Sequence, residues 1–233
     1  MKRQISKGSL MTLSRKVSAE EGEYLKDRYG RIDLETPTMT GFLEEIFACL
    51  RESIALTPAH SVVDIGCGRG YFLKFLENRG FSQLQGIDPC PELLQNRVFP
   101  GIRDGSFESN GLPSRSFDVA FTCHTLHHLT TTSPLRAIAE MQRIARNHIV
   151  IVEINNTNIP MFLISLLHRR VENNAMFFNL TKVRRLLQEQ GLSIVYHRHL
   201  ESMYLSGDSF LHKIAHRFGS SPYNICIAKV ASK

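Results

Sequence analysis

Apolar and polar residues follow two periods along this chain, and the switching between them predicts its elements. In residues 37–56, Phe42, Leu43, Ile46, Phe47 and Leu50 recur at intervals of three and four, while Glu44, Glu45, Arg51 and Glu52 fall mostly off that face. This spacing predicts an amphipathic helix, stopped by Thr57-Pro58. Residues 61–65 form a short β-branched apolar run ending in glycines, the pattern of a buried strand. Helical spacing returns over 71–78 and stops at Arg79-Gly80. Strands are predicted over 84–88, 102–106, 117–123, 148–154, 193–199 and 223–230, with at most a short helix in 89–98. Ser133-Pro134 has the form of an N-cap followed by proline at the first helical position, opening a helix over 135–145. Thr181 is expected to cap another helix running to Gln190 and closed by Gly191, and 212–218 can hold a turn of helix.

Strand and helix alternate, and most strands read as continuous apolar runs. That combination predicts an α/β fold: a Rossmann-like, seven-stranded, mostly parallel sheet with helices on both faces. The last two strands follow each other without a convincing crossover helix, so the last strand is expected to be antiparallel. No repeat or low-complexity linker divides the chain. The expected organisation is a basic tail over 1–35 and one domain over 36–233, with an insertion at about 155–180 between the fifth strand and the next helix.

The chemistry concentrates in Asp64-Ile65-Gly66-Cys67-Gly68-Arg69-Gly70, where a strand must turn sharply into a helix. Glycines there permit positive φ and let a ligand approach the backbone, and the helix start offers free N–H groups. Asp88 ends the next strand, where a carboxylate can accept both hydroxyls of a ribose. The nicotinamide-type loop is GxGxxG; here the third glycine comes one position early, so a ligand without pyrophosphate fits as well.

These residues resemble the first two motifs of the class I S-adenosylmethionine (SAM)-dependent methyltransferases: an acid before GxGxG at 64–70, and Gly86-Ile87-Asp88. Leu112-Pro113 followed by Ser116-Phe117-Asp118, and the run from Phe117 to Leu129, are similar to the small-molecule (methyltransferase type 11-like) branch of that family. The resemblance runs from about Thr36 to Val230 and implies SAM as co-substrate, with no metal. It implies that Asp64 organises the loop near the amino end of SAM and that Gly66 and Gly68 pass beside the methionine portion, with Cys67 and Gly70 also among the cofactor-binding residues. Asp88, with Pro89 after it, would hold the ribose; Ser106 and Phe107, in preference to the alternative Asp104 and Gly105, would lie at the adenine; Cys123 would line the sulfonium pocket. Methyl transfer is an in-line displacement dominated by positioning, and a base is needed only for a protonated acceptor. Candidates for that role are His128, His124 and Glu153. The apolar insertion and the 39–47 helix are expected to cap a small or lipid-like acceptor, with ordinary core packing or a dimer contact as the alternative.

Composition narrows the partners. The 233 residues are 42% hydrophobic and 21% charged, those of a globular domain, and the longest apolar run, 159–167, is too short to span a membrane. The net charge of +6 keeps nucleic acid open as a partner, but the basic residues are dispersed and no exocyclic-amine NPPY motif is present. The alternatives are thus an RNA or protein methyltransferase, a non-catalytic SAM-binding protein, or a nicotinamide oxidoreductase. Five cysteines without CxxC spacing read as reduced thiols in a cytoplasmic-type compartment. Lys2, Arg3, Lys7, Arg15 and Lys16, with no acid among the first nineteen residues, leave an organelle-targeting tail open.

Overall fold

The computed structural model describes residues 37–129, 133–167, 175–202 and 221–231. Among them, α1 (Pro37–Ile54) leads into β1 (Val62–Ile65), α2 (Tyr71–Glu77), β2 (Leu84–Asp88), α3 (Pro91–Gln95), β3 (Ile102–Asp104) and β4 (Phe117–Cys123). There follow α4 (Pro134–Ile144), β5 (Ala145–Ile154), α5 (Ile159–Leu167), α6 (Leu180–Glu189), β6 (Ser193–Leu200) and β7 (Tyr223–Lys229). Single 3-10 turns lie at Leu126–His128 and Ala175–Phe177. The expected 1–35 tail and the turn at 212–218 fall outside the described residues.

The strands form one seven-stranded sheet in the order β3-β2-β1-β4-β5-β7-β6. β1 to β5 pair in parallel, and β7 runs antiparallel to both β5 and β6. This is the Rossmann-like arrangement that the alternating pattern predicts, with the reversal confined to the C-terminal strand. The order reverses direction at β1, whose two neighbours are β2 and β4, and such a switch point opens a crevice at the strands' C-terminal ends.

The core follows from the apolar spacing. On α1, Met39, Phe42, Leu43, Ile46, Cys49 and Leu50 are buried, and β1 is buried along its whole length. Phe72 of α2 stacks on Phe121 of β4 with ring centroids 4.1 Å apart, locking the first crossover helix to the sheet beside the crevice. Ser133 caps α4 through its side chain, which accepts the Arg136 N–H. The cap of α6 differs from the expectation. Asn179, in extended conformation, accepts the Lys182 N–H at 2.9 Å, and Thr181 sits inside the first turn. Asn outranks Thr as an N-cap, and its amide oxygen reaches the third helical N–H. β5 also starts three residues before the expected 148, because Ala145 pairs with Phe117 across a register shift in β4.

Candidate functional site

Because β1, β2 and β4 are parallel and adjacent, their C-terminal ends carry the 64–70 loop, Asp88 and the 123–129 segment to one place. They enclose a cleft of about 200 Å³, lined on its far side by Met39, Phe42 and Leu43 of α1. The loop is pinned to β2 by the N–H groups of Gly66 and Cys67, which both reach the Ile87 carbonyl, at 2.7 and 3.2 Å. Gly66 has φ +75°, and a Cβ there would lie 2.2 Å from the Thr125 methyl carbon, so the loop and the β4 turn meet too closely for any side chain. Gly68, also at positive φ, instead opens toward the cleft, with only Leu93 near its missing Cβ, at 3.8 Å.

Two carboxylates line this end of the cleft, both buried. Asp88 accepts the Gly68 N–H at 2.7 Å on one oxygen and the Cys90 N–H at 2.9 Å on the other. Burial outweighs those two donors, and with the charge of Asp104 it pushes the carboxyl up to about 6. Asp64, at the end of β1, is pushed well above the ordinary carboxylate range by burial and then by the charge of Asp88. Its Oδ1 is buried and accepts no hydrogen bond.

The other end is built on the turn after β4. His124 has a left-handed backbone, φ +53°, held by its N–H donating to the Val152 carbonyl at 2.9 Å. Its ring lies 4.4 Å from that of Tyr223 and 5.9 Å from that of Phe42. Behind the turn, Glu153 is fully buried at the end of β5. One of its oxygens accepts the Leu126 N–H at 2.7 Å, and the other lies 2.7 Å from His127 Nδ1. Burial raises the Glu153 carboxyl, but the neighbouring His127 and the Leu126 N–H more than offset this and leave it below its ordinary value. The His127 ring sits 4.1 Å from that of His128, so the buried pair fixes the turn that presents His128 to the cleft.

Of the residues expected at the site, Asp64, Gly66, Cys67, Gly68, Asp88, Pro89, Cys123, His124 and His128 all line the cleft. Gly70 stands behind the loop as the left-handed residue preceding α2. Three others likewise do not reach the lining. Glu153 faces His127 rather than the cleft. Phe107 packs into the main core, and Ser106 closes a turn with Ser109 just past β3, beside the Gly105 N–H bonded to the Asp88 carbonyl. Of the two segments expected to cap the cleft, α1 contributes Met39, Phe42 and Leu43 to the lining, and none of the described residues of the 155–180 insertion is among the lining residues. Sequence reasoning missed Thr125 and the structural weight of His127, whose partners lie 59 and 26 residues away and leave no local pattern. The thiols of Cys67 and Cys123 are pushed far up by burial and nearby carboxylates, which keeps them protonated and inert. Among the described residues no group of three or more His, Cys, Asp or Glu side chains could hold a metal ion.

Comparison with known proteins agrees with this geometry. Residues 63–152 match the family Methyltransf_11, described as a methyltransferase domain. A chain of the Haloferax volcanii complex between the Trm112 methyltransferase activator and a methyltransferase superposes with a TM-score of 0.64 at 15% identity, covering 92% of this chain and 95% of that one. A SAM-dependent methyltransferase from Aquifex aeolicus gives 0.61 at 15% identity over 90% and 98% of the two chains. Geranyl diphosphate C-methyltransferase from Streptomyces coelicolor A3(2), solved with Mg2+, geranyl diphosphate and S-adenosyl-L-homocysteine, gives 0.59 at 13% identity over 85% and 84%. No curated protein sequence matches the chain. Residues 63–152 thus carry the match to a methyltransferase domain, and the fold of the chain is the Rossmann-like one of the SAM-dependent methyltransferases.

Proposed function

We propose that this chain transfers a methyl group from SAM to a small or lipid-like acceptor. The observation that carries the reading is the pair of buried carboxylates at the switch-point cleft, one of them with an oxygen that no protein group satisfies. A buried carboxylate without a partner is costly and calls for a cationic or hydrogen-bonding ligand. The ammonium group of SAM meets that need at Asp64, and the remaining lone pairs of Asp88 suit a vicinal diol. Gly68 leaves room for the ligand chain to pass, and Cys90 and Leu93, beyond Asp88, provide the wall on that side. When bound, SAM supplies an electrophilic methyl on a sulfonium.

The chain's own work is then positional. The backbone at Cys123 borders the sulfonium side, α1 excludes water with Met39, Phe42 and Leu43, and His124 and His128 face the acceptor. For a hydroxyl or ammonium acceptor, His128 takes the proton, with His124 beside it. Glu153 acts through His127 as a positioning residue and does not itself touch the acceptor. The apolar lining suits an apolar acceptor, and a geranyl diphosphate methyltransferase shares the fold.

Isothermal titration with SAM, S-adenosyl-L-homocysteine and NAD tests the first half of the reading: the first two should bind and NAD should not. Transfer of labelled methyl from SAM into an extract, with and without His128→Ala, tests the second. Binding of NAD in place of SAM would overturn the assignment. An unchanged methylation rate in His128→Ala would remove that residue from the reaction.

A further inference from the structure

α5 is seated the wrong way round for a helix of a globular domain. Asn158 caps it, its side-chain oxygen accepting the Met161 N–H at 2.9 Å. Among its described side chains a narrow stripe faces inward: Met161 and Ser165, one turn apart, are both 3% exposed. The outward face is apolar instead of polar. Ile159 is 71% exposed, Leu163 48% and Leu167 75%, with Phe162 and Leu166 each at 37%. Positions 159, 162, 163, 166 and 167 form one continuous face at helical spacing. Phe177, 65% exposed on the 3-10 turn packed against α5, extends it. That turn also packs against Leu126–His128, the turn that carries His128 into the cleft. The exposed apolar surface and the acceptor end of the cleft are therefore neighbours.

Three features select the occupant of this face. Six side chains cannot supply the ~800 Å² per partner that a stable dimer buries. The helix is nine residues long, far too short to cross a bilayer, and no described helix is long and apolar enough to do so. In the sequence His168, Arg169 and Arg170 follow the helix directly, in a chain of net charge +6. An apolar helix face joined to cations is the composition of a segment that lies in the headgroup region of an anionic membrane, where side chains enter the acyl boundary and arginines meet phosphates.

We infer that α5 and Phe177 dock this protein on an anionic lipid surface, so that an apolar acceptor reaches the cleft from the bilayer. The source of the acceptor rests on the methyltransferase reading; the docking itself does not. The contact is peripheral and reversible, and it weakens with salt because part of it is electrostatic.

Flotation of the full chain with vesicles tests this. Vesicles of equimolar phosphatidylcholine and phosphatidylglycerol should carry the protein upward, and pure phosphatidylcholine vesicles should carry much less. Leu163→Glu/Leu167→Glu should reduce the bound fraction at least tenfold, and Arg169→Glu/Arg170→Glu should abolish the preference for the anionic lipid. SAM titration should be unchanged in both variants, which also shows that they are folded. Wild-type protein that ignores the anionic vesicles overturns the inference, as does equal binding by Leu163→Glu/Leu167→Glu. A dimer in light scattering that this double substitution disperses would identify a second copy of the chain as the occupant and overturn it too. If vesicles bind and SAM does not, the docking stands and the methyltransferase reading falls.

Discussion

Asp64 and Asp88 at one end of the cleft can be set against Glu153 behind the other. All three carboxylates are buried at the C-terminal ends of neighbouring strands. Glu153 is provided for by the protein itself: both oxygens are hydrogen-bonded, His127 faces it, and its proton affinity lies below the ordinary value. Asp88 accepts two backbone N–H groups, Asp64 Oδ1 accepts no hydrogen bond, and burial together with a nearby acid, Asp88 for Asp64 and Asp104 for Asp88, pushes both upward. Equal burial with opposite shifts separates a structural anion from a pair whose cost is met only when something binds. On the proposed reading, the folded chain keeps the first for itself and holds the second for its ligand.

That contrast can be broken by substitution. Glu153→Ala removes the buried carboxylate that the His127 ring and the Leu126 N–H face and should destabilise the protein by about 3–5 kcal/mol in chemical denaturation. Its SAM affinity should move little in protein that remains folded. Asp88→Ala should do the reverse, lowering SAM affinity about 100-fold in calorimetry, near 2.7 kcal/mol for the lost charged hydrogen bonds. Asp64→Asn should cost about 30-fold in affinity while stabilising the unliganded protein at pH 8 by about 1 kcal/mol, because an uncompensated charge has been removed. That gain should vanish in acid, where Asp64 is protonated in the wild type as well. An Asp64→Asn protein less stable than wild type at pH 8 would show that this carboxylate is satisfied within the fold.

The two ends also differ in how far the sequence reveals them. The cofactor end is local: a strand, a glycine turn and a helix within 62–77, with Asp88 one crossover later, so spacing alone predicts both the elements and the residues brought together. Positive φ at Gly66 and Gly68 leaves a direct mark on residue type. The acceptor end is assembled from α1, the turn after β4 and the end of β5, and its contacts join residues far apart in the chain. Glu153 reads in sequence as a polar residue at a strand end, and only the pairing of β4 with β5 turns it away from the cleft toward His127. The 155–180 insertion is legible as apolar, but its periodicity cannot say which face is inward, and the described residues of α5 present an apolar stripe outward. At 102–107 the chain offers several acidic and small residues in a row, and spacing alone does not decide which of them approaches the cleft.

The smallest effect is a test by pH. Asp88 titrates near 6 in the folded protein against an ordinary 3.8, so between those values the native state keeps a proton that the unfolded chain has released. The unliganded protein should therefore lose stability as pH rises through that window. SAM binding should run the other way. The ionised carboxylate is the better acceptor for a ribose diol, so affinity should hold above pH 6 and fall by up to tenfold for each unit below it. Two histidines, His124 and His128, also line the cleft, so the inflection needs an owner. In Asp88→Asn the affinity is lower throughout and the profile should be flat across pH 5–7. An inflection that survives this substitution would assign the titration to the histidines and leave Asp88 ionised across the whole range.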